Sequence, residues 1–149
     1  MIEIESLSKR YGDLLAVDDI SFTVKPGEVL GFLGPNGAGK STTMRMIAGF
    51  LAPTQGRIRV CGHDIEAEPL AAKRCIGYLP EGAPAYGEMT PRAFLSFIGE
   101  LRGMAPALKQ QRIEEVTGQL GLKRVLEQPI ETLSKGFRRR VGIAQAILH

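Results

Sequence analysis

The chain has 149 residues, a normal length for one domain, and its 44% hydrophobic and 23% charged residues are ordinary for a globular protein. The net charge of +3 is mildly basic, which suits an anionic ligand but does not identify one. No apolar stretch approaches the ~18 residues that a membrane span needs, and the acidic start lacks the pattern of a signal peptide. Composition therefore argues against a membrane-spanning or secreted chain, and we expect reduced cysteines and a cytoplasmic location.

Strands are predicted throughout the first part of the chain. Residues 2–7 and 20–24 alternate apolar and polar side chains, as half-buried strands do. Residues 29–33 form a continuous apolar run, which predicts a strand buried on both faces. A short helix is expected next, at residues 39–48. Two further strands are expected after it, at residues 57–61 and 75–79.

Helices are predicted from residue 82 onward. Thr90, followed by a proline, is a good N-cap, and the helix it begins is expected to end at Gly103. A second helix is predicted to end at Gly121, and a third to begin at Ser134. A strand-rich part is thus predicted to precede a helical part.

A glycine-rich loop between the predicted strand at 29–33 and the predicted helix at 39–48 is the most specific motif. It fits the phosphate-binding pattern G-x-x-x-x-G-K-[ST] with Gly34, Pro35, Asn36, Gly37, Ala38, Gly39, Lys40 and Ser41. Glycines let backbone N–H groups turn inward around phosphate oxygens, and a helix N-terminus adds partial positive charge. Lys40 is expected to neutralise the β- and γ-phosphates, and the Ser41 hydroxyl to bind magnesium. A dinucleotide fingerprint is excluded, because the glycine spacing does not fit G-x-G-x-x-G.

The nucleotide base and the protein class are predicted from motifs outside the loop. No N-K-x-D motif for guanine is present, so ATP with Mg²⁺ is the predicted ligand. Downstream, Leu133, Ser134 and Gly136 match a leucine-serine-glycine-glycine-glutamine signature, whereas Lys135 and Phe137 depart from it. Together with the phosphate loop, this segment resembles the nucleotide-binding subunit of ATP-binding cassette (ABC) transporters.

The resemblance covers the whole chain and implies roles for residues outside the two motifs. Tyr11 is similar to the aromatic residue that stacks on adenine, and Val17 to an aliphatic residue near the nucleotide. Thr42 joins the phosphate loop among the implied ATP-binding residues. Glu81 stands where the family carries a glutamine that approaches magnesium, so it is implied as a metal ligand with Ser41 and as a catalytic residue with Lys40. This departure resembles the exporter-type subfamily that includes gliding-motility and drug-resistance ATPases.

The resemblance also implies a fold and partners. The expected fold is an α/β P-loop NTPase with an ABC-type antiparallel β subdomain, an α-helical subdomain and an incomplete core sheet. One partial domain, residues 1–149, is expected to divide into a nucleotide-binding core at 1–81 and a helical subdomain with the signature helix at 82–149.

In the family, two ATP-binding subunits form a head-to-tail dimer. Ser134, Lys135 and Gly136 of one subunit are therefore expected to contact ATP bound to the other. The implied partners are this second subunit, identical or not, and a transmembrane permease, which would place the protein on the cytoplasmic face of the inner membrane. No nucleic acid is expected.

Two features of the family are not found in the sequence. These are an apolar strand ending in aspartate-glutamate after the signature and a later histidine, so the chain is expected to be truncated before the first of them. Without the carboxylate that positions water, we expect these 149 residues alone not to turn over ATP at a useful rate. The alternatives left open are a soluble ABC ATPase of the ribosome-associated type and a non-catalytic nucleotide-binding module.

Overall fold

Two units, Met1–Ile76 and Gly77–His149, make up the computed structural model, which describes residues 1–82 and 86–149. The predicted division, after residue 81, lies farther along the chain than the boundary between these units. Within the described ranges, no helix is both long enough and apolar enough to cross a lipid bilayer.

An antiparallel sheet organises the first unit. Its strands are β1 (Ile2–Tyr11), β2 (Leu14–Val24), β3 (Gln55–Val60) and β4 (His63–Asp64), in the order β2-β1-β3-β4. The predicted strands at 2–7, 20–24 and 57–61 are confirmed, but the first two are longer than expected. They are longer because a tight turn at residues 12–13 pairs Tyr11 directly with Leu14, so β1 and β2 remain paired up to the turn.

Two helices pack with this sheet. The predicted short helix is confirmed as α1 (Lys40–Ile47), and α2 (Pro69–Arg74) was not predicted. Alternating residues of the strands face α1 and α2, and the resulting core contains Ile4, Leu7, Val17, Met46, Ile47, Ile58, Val60, Ile65 and Ala72. This core fixes the position of the β1–β2 hairpin beneath the N-terminal end of α1.

The prediction of a buried strand at 29–33 is wrong for this structure. Residues 29–33 form no strand, and Val29 and Leu33 are 95% and 94% exposed. A strand requires a neighbour for its backbone hydrogen bonds, and no strand among the described residues pairs with this segment. Residues 75–79 likewise form no strand, since Cys75 caps α2 and the chain continues without regular structure.

The second unit is helical, as predicted. It contains α3 (Pro91–Leu101), α4 (Pro106–Gln119) and α5 (Lys135–Ala146), with short 3-10 turns at Lys123–Val125 and Ile130–Thr132. Its core consists of Phe94, Leu95, Ile113, Val116, Leu122, Val125, Ile130, Leu133, Val141, Ala144 and Leu148.

The predicted helix starts in this unit are confirmed by their hydrogen bonds. The Thr90 hydroxyl accepts from the Ala93 N–H at 3.2 Å, and the Ser134 hydroxyl accepts from the Phe137 N–H at 3.3 Å. Side-chain caps of this kind can be recognised from sequence because donor and acceptor are only three residues apart.

Candidate functional site

The phosphate loop is seated directly against β2. Gly39 is the N-cap of α1 and has a φ of +79°, a left-handed conformation that favours glycine. A Cβ at this position would collide with the carbonyl oxygen of Ala16 and lie 3.0 Å from Cγ2 of Val17. The glycine therefore allows both the turn into α1 and the close approach of the loop to the hairpin.

Lys40 is held over the loop that precedes it. Its Nζ donates hydrogen bonds to the carbonyl oxygens of Gly34, at 2.7 Å, and Pro35, at 2.6 Å. The Pro35 carbonyl also accepts from the Ala38 N–H at 3.3 Å, which closes a turn inside the loop. The ammonium group is thereby kept close to the backbone of the loop instead of extending into solvent.

A cleft of about 320 Å³ lies between the loop and the end of the β1–β2 hairpin. Its lining residues are Tyr11, Leu14, Ala16, Asn36, Gly37, Gly39, Lys40, Ser41 and Thr42. Tyr11 is 29 residues away from Lys40 in sequence, so the hairpin brings a predicted base-stacking residue to the same cleft as the predicted phosphate-binding residues.

Leu14 and Ala16 line the cleft but were not predicted as site residues. Leu14 is the cross-strand neighbour of Tyr11, so recognition of the hairpin and its register would have identified it. Val17, which was predicted near the nucleotide, is only 6% exposed and belongs to the core. The Val17 side chain lies close to Gly39 of the phosphate loop, since a Cβ at Gly39 would be 3.0 Å from Val17 Cγ2. The neighbouring residue, Ala16, lines the cleft.

Tyr11 is partly fixed at the edge of the cleft. Its side chain is 49% exposed, and the Lys9 ammonium lies 5.4 Å from the ring centroid. Lys9 in turn donates to the Ala52 carbonyl at 2.7 Å. The cation covers one face of the ring, and an aromatic ring has a second face on which a base can stack.

The first turn of α1 supplies the polar groups of the cleft. Gly39 has no side chain with which to cap the helix, so the first-turn N–H groups receive no side-chain cap there. The buried Thr43 hydroxyl donates to the Gly39 carbonyl at 3.0 Å, which braces the turn, while Ser41 remains exposed. Backbone donors, an ammonium group and a free hydroxyl suit a phosphate chain that carries its own cation.

A closed protein cage for a metal ion is not part of this arrangement. In the ranges 1–82 and 86–149, no group of three or more His, Cys, Asp or Glu side chains could hold a metal. Mg²⁺ is usually held by one or two protein oxygens together with substrate phosphates and water. Ser41 is the predicted metal ligand that lines the cleft, and the other, Glu81, is an exposed residue of the second unit.

The predicted signature residues lie at the start of α5 in the second unit. Ser134 is the N-cap, and Lys135 lines a cavity of about 250 Å³ with Gly82, Arg138 and Arg139. Cations in the first turn of a helix oppose its dipole, so their presence there suits the approach of an anion.

Phe137 is held by two arginines where the family signature has glutamine. The guanidinium carbon of Arg124 lies 4.8 Å from the ring centroid, and that of Arg140 lies 5.4 Å from it. Arg140 also donates to the Leu120 carbonyl at 3.3 Å. Phe137, which replaces the glutamine of the signature, therefore has a structural role. Its ring contacts Arg124, so it packs α5 against the segment that follows α4.

Sequence comparisons give a consistent result over the whole chain. Residues 17–149 match the family described as ABC transporter. The uncharacterized ABC transporter ATP-binding protein YxlF of Bacillus subtilis is 42% identical over 149 residues, which are all of this chain and 49% of that protein. The probable multidrug ABC transporter ATP-binding protein YbhF of Escherichia coli is 36% identical over the same length, which is 26% of that protein. The chain thus spans about half or less of the length of these relatives.

Solved structures show the same likeness in three dimensions. An ATP-binding subunit of an ABC transporter superposes with a TM-score of 0.89 at 31% identity, over 99% of this chain and 62% of that chain. A dimeric ATP-binding cassette with bound ADP and Pi superposes with a TM-score of 0.83 at 22% identity, over 99% and 69%. The predicted fold class is confirmed by these superpositions.

Proposed function

This chain belongs to the ABC transporter family, and on that basis we propose that it binds ATP with magnesium in the phosphate cleft as the ATP-binding part of a transporter. Since the relatives are longer than this chain, transport and hydrolysis are proposed for the complete protein. There, ATP binding and hydrolysis drive a membrane permease, and the protein lies on the cytoplasmic face of the membrane through that partner.

The observation that carries this proposal is the composition of the cleft. Tyr11, the last residue of β1, lines the cleft, and Lys40, Ser41 and Thr42 line it where α1 begins. An aromatic face for the base and backbone donors with an ammonium for the phosphates are the two groups that a nucleoside triphosphate needs. The volume of about 320 Å³ lies at the lower end of the range for ligand pockets.

Ser41 and Glu81 are the residues that we propose as magnesium ligands. When bound, the ion neutralises charge on the phosphates during phosphoryl transfer. The Ser41 hydroxyl supplies one ligand, and Glu81 is proposed as a second, as well as a catalytic residue with Lys40. A carboxylate is a hard oxygen ligand, as the glutamine amide of the family pattern is, so the exchange preserves the ligand type.

We propose further that two ATP-binding subunits pair head to tail in the complete protein. Ser134, Lys135 and Gly136 of one subunit then approach the γ-phosphate held by the other. The cationic cavity formed by Lys135, Arg138 and Arg139 supports this role, because the incoming group is an anion.

A role in transport is favoured over the ribosome-associated alternative. The named relatives include a probable multidrug transporter component and a linearmycin resistance protein of Bacillus subtilis, the latter 40% identical over 149 residues. These names support the exporter-type placement. The transported compound is selected by the permease and is not specified by the residues of this chain.

Removing the Lys40 ammonium tests the proposed site. Lys40→Ala should weaken ATP·Mg binding by about 10- to 100-fold, since a charge-assisted hydrogen bond to phosphate contributes about 1.5–3 kcal/mol. Isothermal titration calorimetry measures the affinity, and thermal unfolding confirms that the variant is folded. Lys25→Ala is the matched control, because Lys25 is an exposed lysine of the same unit that is not among the residues lining the cleft. Equal affinities in all three proteins would contradict the proposal.

A further inference from the structure

The Tyr11 ring, on which the base is proposed to stack, contacts a lysine from its own strand. Lys9 and Tyr11 lie two residues apart in β1, and side chains at that spacing point to the same face of a strand. The Lys9 ammonium lies 5.4 Å from the ring centroid. Among residues 1–82 and 86–149, no other ring or hydrogen-bond contact holds the Tyr11 side chain. The orientation of the ring therefore depends on where the Lys9 ammonium is held.

Lys9 is fixed by contacts of its own. Its backbone pairs with Val17 of β2, and the residue is half-buried. Its Nζ donates a hydrogen bond to the Ala52 carbonyl at 2.7 Å. A long side chain that is held at both its backbone and its ammonium loses most of its rotamer freedom, so the cation keeps one position beside the ring.

The segment that contains Ala52 connects α1 to β3 and is bonded to the end of β1. The Thr54 N–H donates to the Ser8 carbonyl at 2.9 Å, and the Arg10 N–H donates to the Thr54 hydroxyl at 3.0 Å. These two bonds involve the residues on either side of Lys9. They hold the Ala52 carbonyl at a constant distance from β1, and the Lys9 side chain spans that distance.

We propose that Lys9 is a positioning residue of the nucleotide site, which fixes the Tyr11 ring so that the base stacks on the face that the ammonium does not cover. This inference rests on the proposed binding of ATP and adds a residue that determines recognition of the base. A ring that is already oriented loses less conformational freedom when the base arrives, so its preorganisation increases the affinity. Lys9 is not among the residues that line the cleft, so it acts through Tyr11.

A lysine near the cleft also attracts phosphates through its charge, and this effect can be separated from positioning. Positioning of Tyr11 changes the affinity only of ligands that carry a base. Attraction of phosphates changes the affinity for inorganic tripolyphosphate as well, because that anion has the same phosphate chain without a base. Comparison of ATP with tripolyphosphate, both with Mg²⁺, therefore distinguishes the two effects.

The experiment measures both affinities of the purified protein by isothermal titration calorimetry. Lys9→Met removes the charge from a side chain of similar length. It should weaken ATP binding by about 2- to 5-fold, the effect expected of an exposed cation–π contact, and leave tripolyphosphate binding unchanged. Lys9→Arg should retain the parent affinity for ATP, because a guanidinium keeps the charge and the hydrogen-bond donors. Lys25→Met is the matched control for loss of charge, since Lys25 is exposed and does not line the cleft.

A double-mutant cycle tests whether Lys9 acts through Tyr11. In the Tyr11→Ala background, Lys9→Met should no longer change the affinity for ATP, because the ring that Lys9 orients is absent. A general structural role of Lys9 would instead weaken ATP binding in both backgrounds. Thermal unfolding confirms that each variant is folded.

Three results would overturn the inference. They are an unchanged affinity of Lys9→Met for ATP, an equal loss of affinity for tripolyphosphate, and a loss that persists undiminished in the Tyr11→Ala background. In each of these cases the parent protein still binds ATP, so the proposed function stands. A parent protein that binds neither ligand would refute the proposed ATP site and this inference with it.

Discussion

Replacing Gly39 by alanine tests whether the phosphate loop depends on its close approach to β2. Gly37→Ala is the matched control, because Gly37 has a similar φ of +86° but a Cβ there would meet no protein atom within 4 Å. The left-handed conformation costs each alanine variant roughly 1–2 kcal/mol. At Gly39 the new methyl also collides with the Ala16 carbonyl of a paired strand, which adds about 1–3 kcal/mol, as overpacking does. We therefore expect Gly39→Ala to lose about 3 kcal/mol and Gly37→Ala about half of that.

Urea denaturation followed by circular dichroism measures both losses in free energy of unfolding. The Gly39 variant should unfold at a clearly lower urea concentration than the Gly37 variant. If the two variants lost the same free energy within about 0.5 kcal/mol, the steric reasoning would be refuted, and only the backbone conformation of the glycines would matter.

Two further predictions concern polar contacts away from the cleft. The Arg112 guanidinium donates hydrogen bonds to the carbonyls of Leu148, at 3.0 Å, and Ile147, at 2.8 Å, just beyond α5. Arg112→Ala should therefore lower the free energy of unfolding by about 1–2 kcal/mol, as measured by thermal or urea unfolding. An unchanged free energy of unfolding would count against this role of Arg112. The Asp64 carboxylate accepts from the Ala67 N–H, and this bond is the largest cause that holds the pKa of Asp64 below its ordinary value of 3.8. The stabilisation by the ionised Asp64 is thus present above pH 3.8 and is lost as the pH falls through the lowered pKa. Asp64→Asn should therefore have a lower free energy of unfolding than the parent at pH 7, and the difference between the two proteins should become smaller at acidic pH. A difference in free energy of unfolding that does not change with pH would disprove the assignment.

The features that could be predicted from the amino-acid sequence are those whose interaction partners are close along the chain. The phosphate loop could be recognised because its glycines, Lys40 and Ser41 are contiguous, and backbone binding of phosphate requires that spacing. The caps at Thr90 and Ser134 could be predicted because each hydroxyl accepts from an N–H three residues ahead. Local chemistry of this kind does not depend on the remainder of the fold.

Features that depend on residues far apart in the sequence could be described only from the three-dimensional structure. An apolar run at residues 29–33 has the composition of a buried strand, but a strand forms only where a neighbour accepts its hydrogen bonds. Likewise, the β1–β2 register determines that Ala16 faces the cleft and Val17 faces the core, since successive side chains of a strand point to opposite faces.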